Sequence, residues 1–289
     1  MNIQWYPGHM TKARRAMEES IKLIDVIIEV VDARLPLSSR NPDIDAMGRQ
    51  KYRIVLLNKA DLADEAANAA WEAWFQEQGI YALRLDSRKR DAMKKVQQAV
   101  MDACREKIER DRRRGIKNRP IRAMVAGIPN VGKSTFINSF TRKASTKTGN
   151  KPGVTRGNQW IRLNAQVELL DTPGILWPKF EDEEVGLRLA LVGSMNDEII
   201  QRQELASWGI LFLEEHYPDR LPERYAILKE SLPGEEDHPH AFRVLEAIAL
   251  DRNCLKKGGG PDTEKAAVLF LDDLRAGRLG RITLEVPNA

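Results

Sequence analysis

Six short runs of apolar, β-prone residues stand out along the first 175 positions, at 26–31, 53–57, 81–85, 121–126, 159–163 and 167–170. Between them, at 66–78 and 92–112, apolar positions recur at helical spacing. Strands alternating with helices in this way predict a mostly parallel sheet with helices on both faces. Only Asn164, Ala165 and Gln166 separate the last two runs, a hairpin-length gap that makes one strand antiparallel. Trp71, Trp74 and Phe75 follow the helical spacing and are expected in the core. After residue 180 the pattern changes. Helices are expected at 185–195, 198–216, 223–231, 239–250 and 263–276, with Pro233-Gly234 and Gly258-Gly259-Gly260-Pro261 as breaks. No internal repeat is visible. The boundary falls near Pro178, which divides the chain into an α/β domain over 1–178 and a smaller all-α domain over 179–289.

A chain of 289 residues with 42% hydrophobic positions can bury a substantial core, which excludes disordered and fibrous classes. No apolar stretch approaches the ~18 residues of a membrane span, and residues 1–11 lack the order of a secretion signal. A soluble cytoplasmic protein is expected, with no membrane partner. Cys104 and Cys254 stand far apart, without neighbouring Cys or His at ligand spacing, so neither a disulfide framework nor a structural zinc site is supported. The net charge of +4 hides an asymmetry. Residues 1–180 carry 33 basic against 20 acidic side chains, and residues 181–289 carry 13 against 22. A basic body of this size suits a polyanionic partner.

The candidate chemistry begins at Gly127-Ile128-Pro129-Asn130-Val131-Gly132-Lys133-Ser134-Thr135, which fits G-x-x-x-x-G-K-S/T between an expected strand and a helix opening near Lys133. That context defines a phosphate-binding loop. Its amides and the helix N-terminus donate to phosphates, Lys133 neutralises the β/γ charge, and Ser134 is a magnesium ligand. Asp171-Thr172-Pro173-Gly174 ends the last strand and places a carboxylate within reach of the magnesium shell, with Gly174 free to aim its amide at a γ-phosphate. Between the two lies the polar loop Lys151-Pro152-Gly153-Val154-Thr155-Arg156-Gly157. There Thr155 is the candidate to complete the magnesium coordination; Thr146 and Thr148 lie nearby.

Asn58-Lys59-Ala60-Asp61 directly follows the second strand and has the form that reads guanine. Asp61 would accept from the base N1 and N2 groups and would be left unpaired by adenine, a mismatch that costs ~10⁴ or more in discrimination. Asp86-Ser87-Arg88, after the third strand, sits where a second base-contacting loop belongs. The usual pattern there is Ser-Ala-Lys, so this loop is expected to act through its backbone more than its side chains. With no further N-K-x-D after Gly174, the base motif precedes the phosphate motifs. That order is a circular permutation of the ordinary GTPase chain, tolerable because native termini commonly lie close together. It makes the second switch run through Ile175, Leu176, Trp177 and Pro178 directly into the acidic helical region.

At these residues the chain resembles the circularly permuted GTPases of the bacterial ribosome-biogenesis type, the YlqF/RbgA group. The resemblance extends over essentially the full length: Trp5-Tyr6-Pro7-Gly8-His9-Met10, Asp32-Ala33-Arg34, the phosphate loop, residues 171–178 and the 254–260 stretch. It implies a circularly permuted P-loop GTPase domain, with a mostly parallel six-stranded sheet, followed by a smaller all-α domain. It also implies GTP and GDP as ligands and late assembly of the large ribosomal subunit as the role. The factor would bind ribosomal RNA, dissociate after hydrolysis and be a monomer off the ribosome. A signalling GTPase regulated by protein partners, without ribosome association, is the alternative.

Ile175 stands where Ras-like GTPases place the glutamine that orients the attacking water, and an aliphatic side chain cannot do this. His9, in a Pro-Gly-containing segment, is the candidate to supply that polar contact; a surface or packing histidine fits it equally. In GTPases that this family resembles, an Asn at the position of Asn130 ligates potassium. Its amide oxygen is chemically suitable, as it is for stabilising the loop. Residues 105–122 hold nine basic and three acidic side chains. With Lys12, Arg14, Arg15, Arg142, Lys143, Lys147, Lys151 and Arg156 they form a candidate RNA-facing set, against the ordinary alternative of solvated helix faces. Trp5 and Tyr6 fit a buried anchor better than base stacking.

Overall fold

The structure, a computed structural model, describes residues 8–89, 92–116, 119–140, 159–174, 176–177, 182–195, 201–227, 232 and 238–287. The six expected runs are six strands: β1 (Val26–Asp32), β2 (Tyr52–Asn58), β3 (Tyr81–Leu85), β4 (Ile121–Ala126), β5 (Gln159–Arg162) and β6 (Val167–Asp171). They form one sheet in the order β3-β2-β1-β4-β6-β5. Every pairing is parallel except β5 with β6, as the short 164–166 gap requires.

The central strand β1 is buried at all seven positions, the mark of a parallel strand covered on both faces. One of those positions is Glu29, whose Oε2 accepts from Arg40 and Arg53 at 3.0 Å each. A buried carboxylate is tolerated only with such partners. Helix α3 (Glu65–Glu77) follows β2 and is capped by Asp64, whose carboxylate accepts from the Ala66 and Ala67 amides. It lays Trp71 and Phe75 against Val31, Val55, Leu57 and Ala82, with Trp74 packed edge-on to both rings.

Two helices ahead of β2 were not expected from spacing: α1 (Gly8–Ser20) and α2 (Pro42–Met47). The second had a legible start. Asn41 accepts from the Asp43 amide, and Pro42 stands in the first turn. The helix expected at 92–112 is two, α4 (Ala92–Ala103) and α5 (Arg105–Arg113), broken at Cys104. Hydrogen bonding continues across the break, because Cys104 bonds Val100 and Ile108 bonds Cys104. Helix α6 (Lys133–Phe140) opens at the lysine of the phosphate loop.

The chain divides into two compact units, Met1–Glu181 with Thr283–Ala289, and Asp182–Ile282. The second contains α7 (Glu183–Leu191), α8 (Arg202–His216), α9 (Arg220–Tyr225), α10 (His240–Asp251) and α11 (Thr263–Arg275). Helix α9 begins before the expected 223 and is closed by Ala226, left-handed at φ +49°; residues 228–231 of the expected segment lie outside the described residues. Phe270, Leu213, Ile210 and Leu245 are buried here, and Asp273 ties Arg224, Tyr225 and Arg278 together. No described helix is long and apolar enough to cross a membrane.

The end of the chain departs from the expected division. Residues 283–287 return to the α/β unit instead of ending in the helical one. The Leu284 amide donates to the Arg34 carbonyl at 2.7 Å, the Thr283 hydroxyl accepts from the Asp64 amide at 3.0 Å, and Trp71 Nε1 donates to the Glu285 carbonyl at 3.1 Å. The Glu285 carboxylate accepts from the amides of Leu37 and Ser38 and from the Ser38 hydroxyl.

Candidate nucleotide site

Asp32, Asn58 and Leu85 are register partners across β1, β2 and β3, and Asp171 pairs with Val125 across β4 and β6. The segments after these strands therefore gather along one edge of the sheet. Strand order reverses between β1 and β4, and ligands of open α/β sheets bind outside the carboxyl ends of strands at such a point. The phosphate loop leaves β4 there, next to the base motif that leaves β2.

Asn58 joins the two. Its Nδ2 donates to the Val131 carbonyl at 2.7 Å, and its Oδ1 accepts from the Ser87 amide at 3.1 Å and hydroxyl at 2.7 Å. One buried amide thus holds together three segments far apart in sequence. Gly132, at φ +92°, could not be replaced without cost: a Cβ there would overlap Asn58 Nδ2. Lys59 adds a second tie, its Nζ donating to the Asn130 carbonyl at 2.7 Å and to Asp32 Oδ2 at 2.8 Å. Lys59 and Asn130 are both left-handed, at φ +59° and +61°, a strained conformation that persists where surroundings over-determine it.

Asp32 is fully buried. Burial alone would push its carboxyl up, but the Arg34 and Lys59 charges outweigh this and hold it well below the usual carboxylate range. Arg34 donates Nε at 2.9 Å and Nη2 at 2.8 Å, a two-pronged pair. Ala60 is pinned by its amide to the Leu85 carbonyl and by its carbonyl to Asn68 Nδ2, both close to 3 Å. That places Asp61 on a fixed turn.

At the phosphate end, Lys133 is buried, and its Nζ donates to Asp171 Oδ1 at 3.3 Å and to the Thr172 carbonyl. Burial lowers its pKa while the Asp171 charge works against that. The Thr172 hydroxyl donates to the Val125 carbonyl at 2.8 Å, tying the strand ends of β6 and β4. Gly174 lies so close to the phosphate loop that a Cβ would meet the Pro129 nitrogen at 3.0 Å. Val131 is buried, while Ser134 and Thr135 are half-buried in the first turn of α6. Ser134 and Asp171 offer a hydroxyl and a carboxylate, hard oxygen donors of the kind magnesium takes alongside phosphates.

In the 86–88 loop the Ser87 hydroxyl donates to Asn58 Oδ1, and Arg88 reaches Asp61 at 2.7 Å and Asp86 at 2.8 Å. One expectation changes. Lys107, counted in the basic run, is buried and ion-paired with Asp111 at 2.5 Å and Asp25 at 3.6 Å, whereas Arg105, Arg110, Arg112, Arg113 and Arg114 are exposed. The backbone of His9 is in α1; its side chain, Thr155 and Ile175 lie outside the described residues. Asp32, Arg34 and Glu285 are not among the residues expected at the site. The first two stand in the sequence only within the Asp32-Ala33-Arg34 segment that carries the resemblance, and Glu285 has no signal there.

Fold and site define a P-loop GTPase whose base-reading motif precedes its phosphate loop in the chain. A family profile described as a 50S ribosome-binding GTPase matches residues 122–215. Ribosome biogenesis GTPase A of Bacillus cereus is 50% identical over 288 residues, covering 100% of this chain and 95% of that protein. The protein of the same name from Thermotoga maritima is 34% identical over 99% of this chain and 95% of its own length. The crystal structure of GNP-bound YlqF from T. maritima matches with a TM-score of 0.65 at 29% identity, covering 96% of this chain and 99% of that one. This chain belongs to the ribosome biogenesis GTPase A family.

Proposed function

We propose that this protein binds and hydrolyses GTP as a cytoplasmic factor in late assembly of the large ribosomal subunit, changing its affinity for ribosomal RNA with nucleotide state. The observation that carries the reading is the Asn58 amide, which fastens the guanine-type motif to the phosphate loop at Val131 and to the second base loop at Ser87. An N-K-x-D sequence elsewhere on the surface would have no such bond.

Asp61 accepts from guanine N1 and N2, while Asn58, Lys59 and Ala60 hold it in place, and Asp86 and Ser87 shape the second side of the base. The amides of Asn130, Val131, Gly132, Lys133, Ser134 and Thr135 wrap the phosphates. The Lys133 ammonium stabilises the charge that builds on the β–γ bridging oxygen as the bond to the γ-phosphorus breaks and water takes its place. Gly174 donates its amide to the γ-phosphate. Ser134, Thr155 and Asp171 would hold magnesium, which when bound neutralises phosphate charge. Asn130 would hold potassium by its amide oxygen. His9 orients the attacking water in place of Ile175. Lys133, Thr155 and His9 thus make the catalytic set.

The compact units Met1–Glu181 and Asp182–Ile282 support a nucleotide-binding domain and a helical domain. The second switch leads in sequence straight into the latter, so γ-phosphate contacts and helical domain share one stretch of chain. The exposed arginines of α5 and the Arg114 that follows support an RNA-facing surface, and the factor is a monomer off the ribosome. Co-sedimentation with large subunits in GTP, GDP and a non-hydrolysable analogue tests the reading. Binding that depends on the nucleotide and weakens steeply with salt is expected. No association in any state would favour the protein-regulated signalling reading instead.

A further inference from the structure

The side chain opposite Asp61 is a guanidinium. Arg88 Nη2 donates to Asp61 Oδ2 at 2.7 Å and to Asp86 Oδ2 at 2.9 Å, while Nε donates to Asp86 Oδ1 at 2.8 Å. The Asp86 side chain also accepts from the Arg88 amide at 3.0 Å, closing a local turn that presents the guanidinium toward Asp61. The N1–C2–N2 edge of guanine is itself a guanidine fragment, a ring N–H beside an amino group, and donates in parallel to a carboxylate as arginine does. Arg88 and guanine therefore require the same oxygen of the same residue.

We propose that Arg88 is an affinity-setting residue of the base site, a competitor that guanine displaces from Asp61. The inference rests on the reading of Asp61 as the guanine acceptor. The geometry leaves Arg88 somewhere to go. Its other carboxylate, Asp86, is bound by two separate hydrogen bonds, so the guanidinium can release Asp61 and stay paired. The exchange is also open to solvent, because the Arg88 side chain is 67% exposed and that of Asp61 27%. An ion pair in that setting is worth little and is screened by salt, so it weakens nucleotide binding without blocking it. GTP and GDP share the base, so both are affected alike and the competition does not depend on the state of the switches.

The experiment is a titration of GDP against the full-length protein and Arg88→Ala over a range of potassium chloride concentrations. The variant is expected to bind GDP tighter by about two- to fivefold at low salt, the range of an exposed pair. The ratio between the two proteins should approach one as salt rises, the phosphate contribution cancelling because both carry the same phosphate loop. Equal or weaker binding by Arg88→Ala overturns the proposal, since Arg88 would then be neutral to the base or supporting it. The same change is made in an Asp61→Asn background with XDP. Xanthine offers a carbonyl where guanine has its amino group and suits a side-chain amide. Arg88 then has no carboxylate to hold at position 61, so its removal should no longer tighten binding; tightening equal to that in the Asp61 background also overturns the proposal. The base reading is separately at stake. If Asp61→Asn does not move preference from guanine to xanthine, that reading fails whatever Arg88→Ala does.

Discussion

Asn58 Nδ2 lies 2.7 Å from the Val131 carbonyl oxygen, a bond between residues 73 positions apart. It ties the base motif to the phosphate loop at one edge of the sheet. Asn58→Ala removes the partner of three buried polar groups, the Val131 carbonyl and the amide and hydroxyl of Ser87. Unsatisfied groups cost about 1–3 kcal/mol each. We expect urea melts to show a loss of about 2–4 kcal/mol after relaxation, and GTP and GDP to weaken together by on the order of tenfold. Gly132→Ala should reproduce the affinity loss, since its Cβ would push the same amide away.

Asp32 gives the α/β unit an acid-sensitive joint. Its folded pKa is depressed, so the stability it contributes is fully present above the unfolded value near ~4. That contribution drains away as pH falls toward the lower folded value. Asp32→Asn leaves Arg34 and Lys59 without their counter-charge in a buried setting, a loss of about 3 kcal/mol at pH 7. The difference between wild type and variant should shrink in melts below pH ~4. A difference constant from pH 7 to 3 would show that charge at Asp32 contributes nothing.

The returning segment is expected to matter for the base site as well as for the fold. Leu284 is buried and bonds the carbonyl of Arg34, the residue that pairs with Asp32. Leu284→Ala should cost about 2–5 kcal/mol of α/β-unit stability. Glu285→Ala should cost about 1–2 kcal/mol through the lost bonds to Leu37 and Ser38. Truncation after Ile282 should weaken GDP, measured by fluorescence of a labelled nucleotide, while leaving the phosphate-loop residues untouched.

His9→Ala should abolish subunit-stimulated hydrolysis and leave GTP affinity nearly intact; unchanged turnover removes His9 from the mechanism. Turnover should also be faster in potassium than in sodium buffer if Asn130 ligates the ion, and equal rates exclude that role. The two measurements separate a water-orienting histidine from a charge supplied by a cation.

The architecture was legible because its signals are local. Each strand announces itself by a run of β-prone apolar residues, the phosphate loop by fixed glycine and lysine spacing, and Asp61 by three neighbours. Even the permuted order could be read, since it is an order of motifs. Local too was the start of α2, in Asn41 and Pro42, though period counting over six residues could not find it. What the tertiary structure alone decided depends on contacts across tens or hundreds of positions. Lys59 turned out to brace Asp32 and the Asn130 carbonyl, Arg88 met Asp61 across the gap between two strand ends, and Glu285 came back to Ser38 over 247 residues. Spacing along a chain encodes which face a residue presents. It does not encode which distant polar group will need that residue once both have left water, and this need is what fixed these pairs.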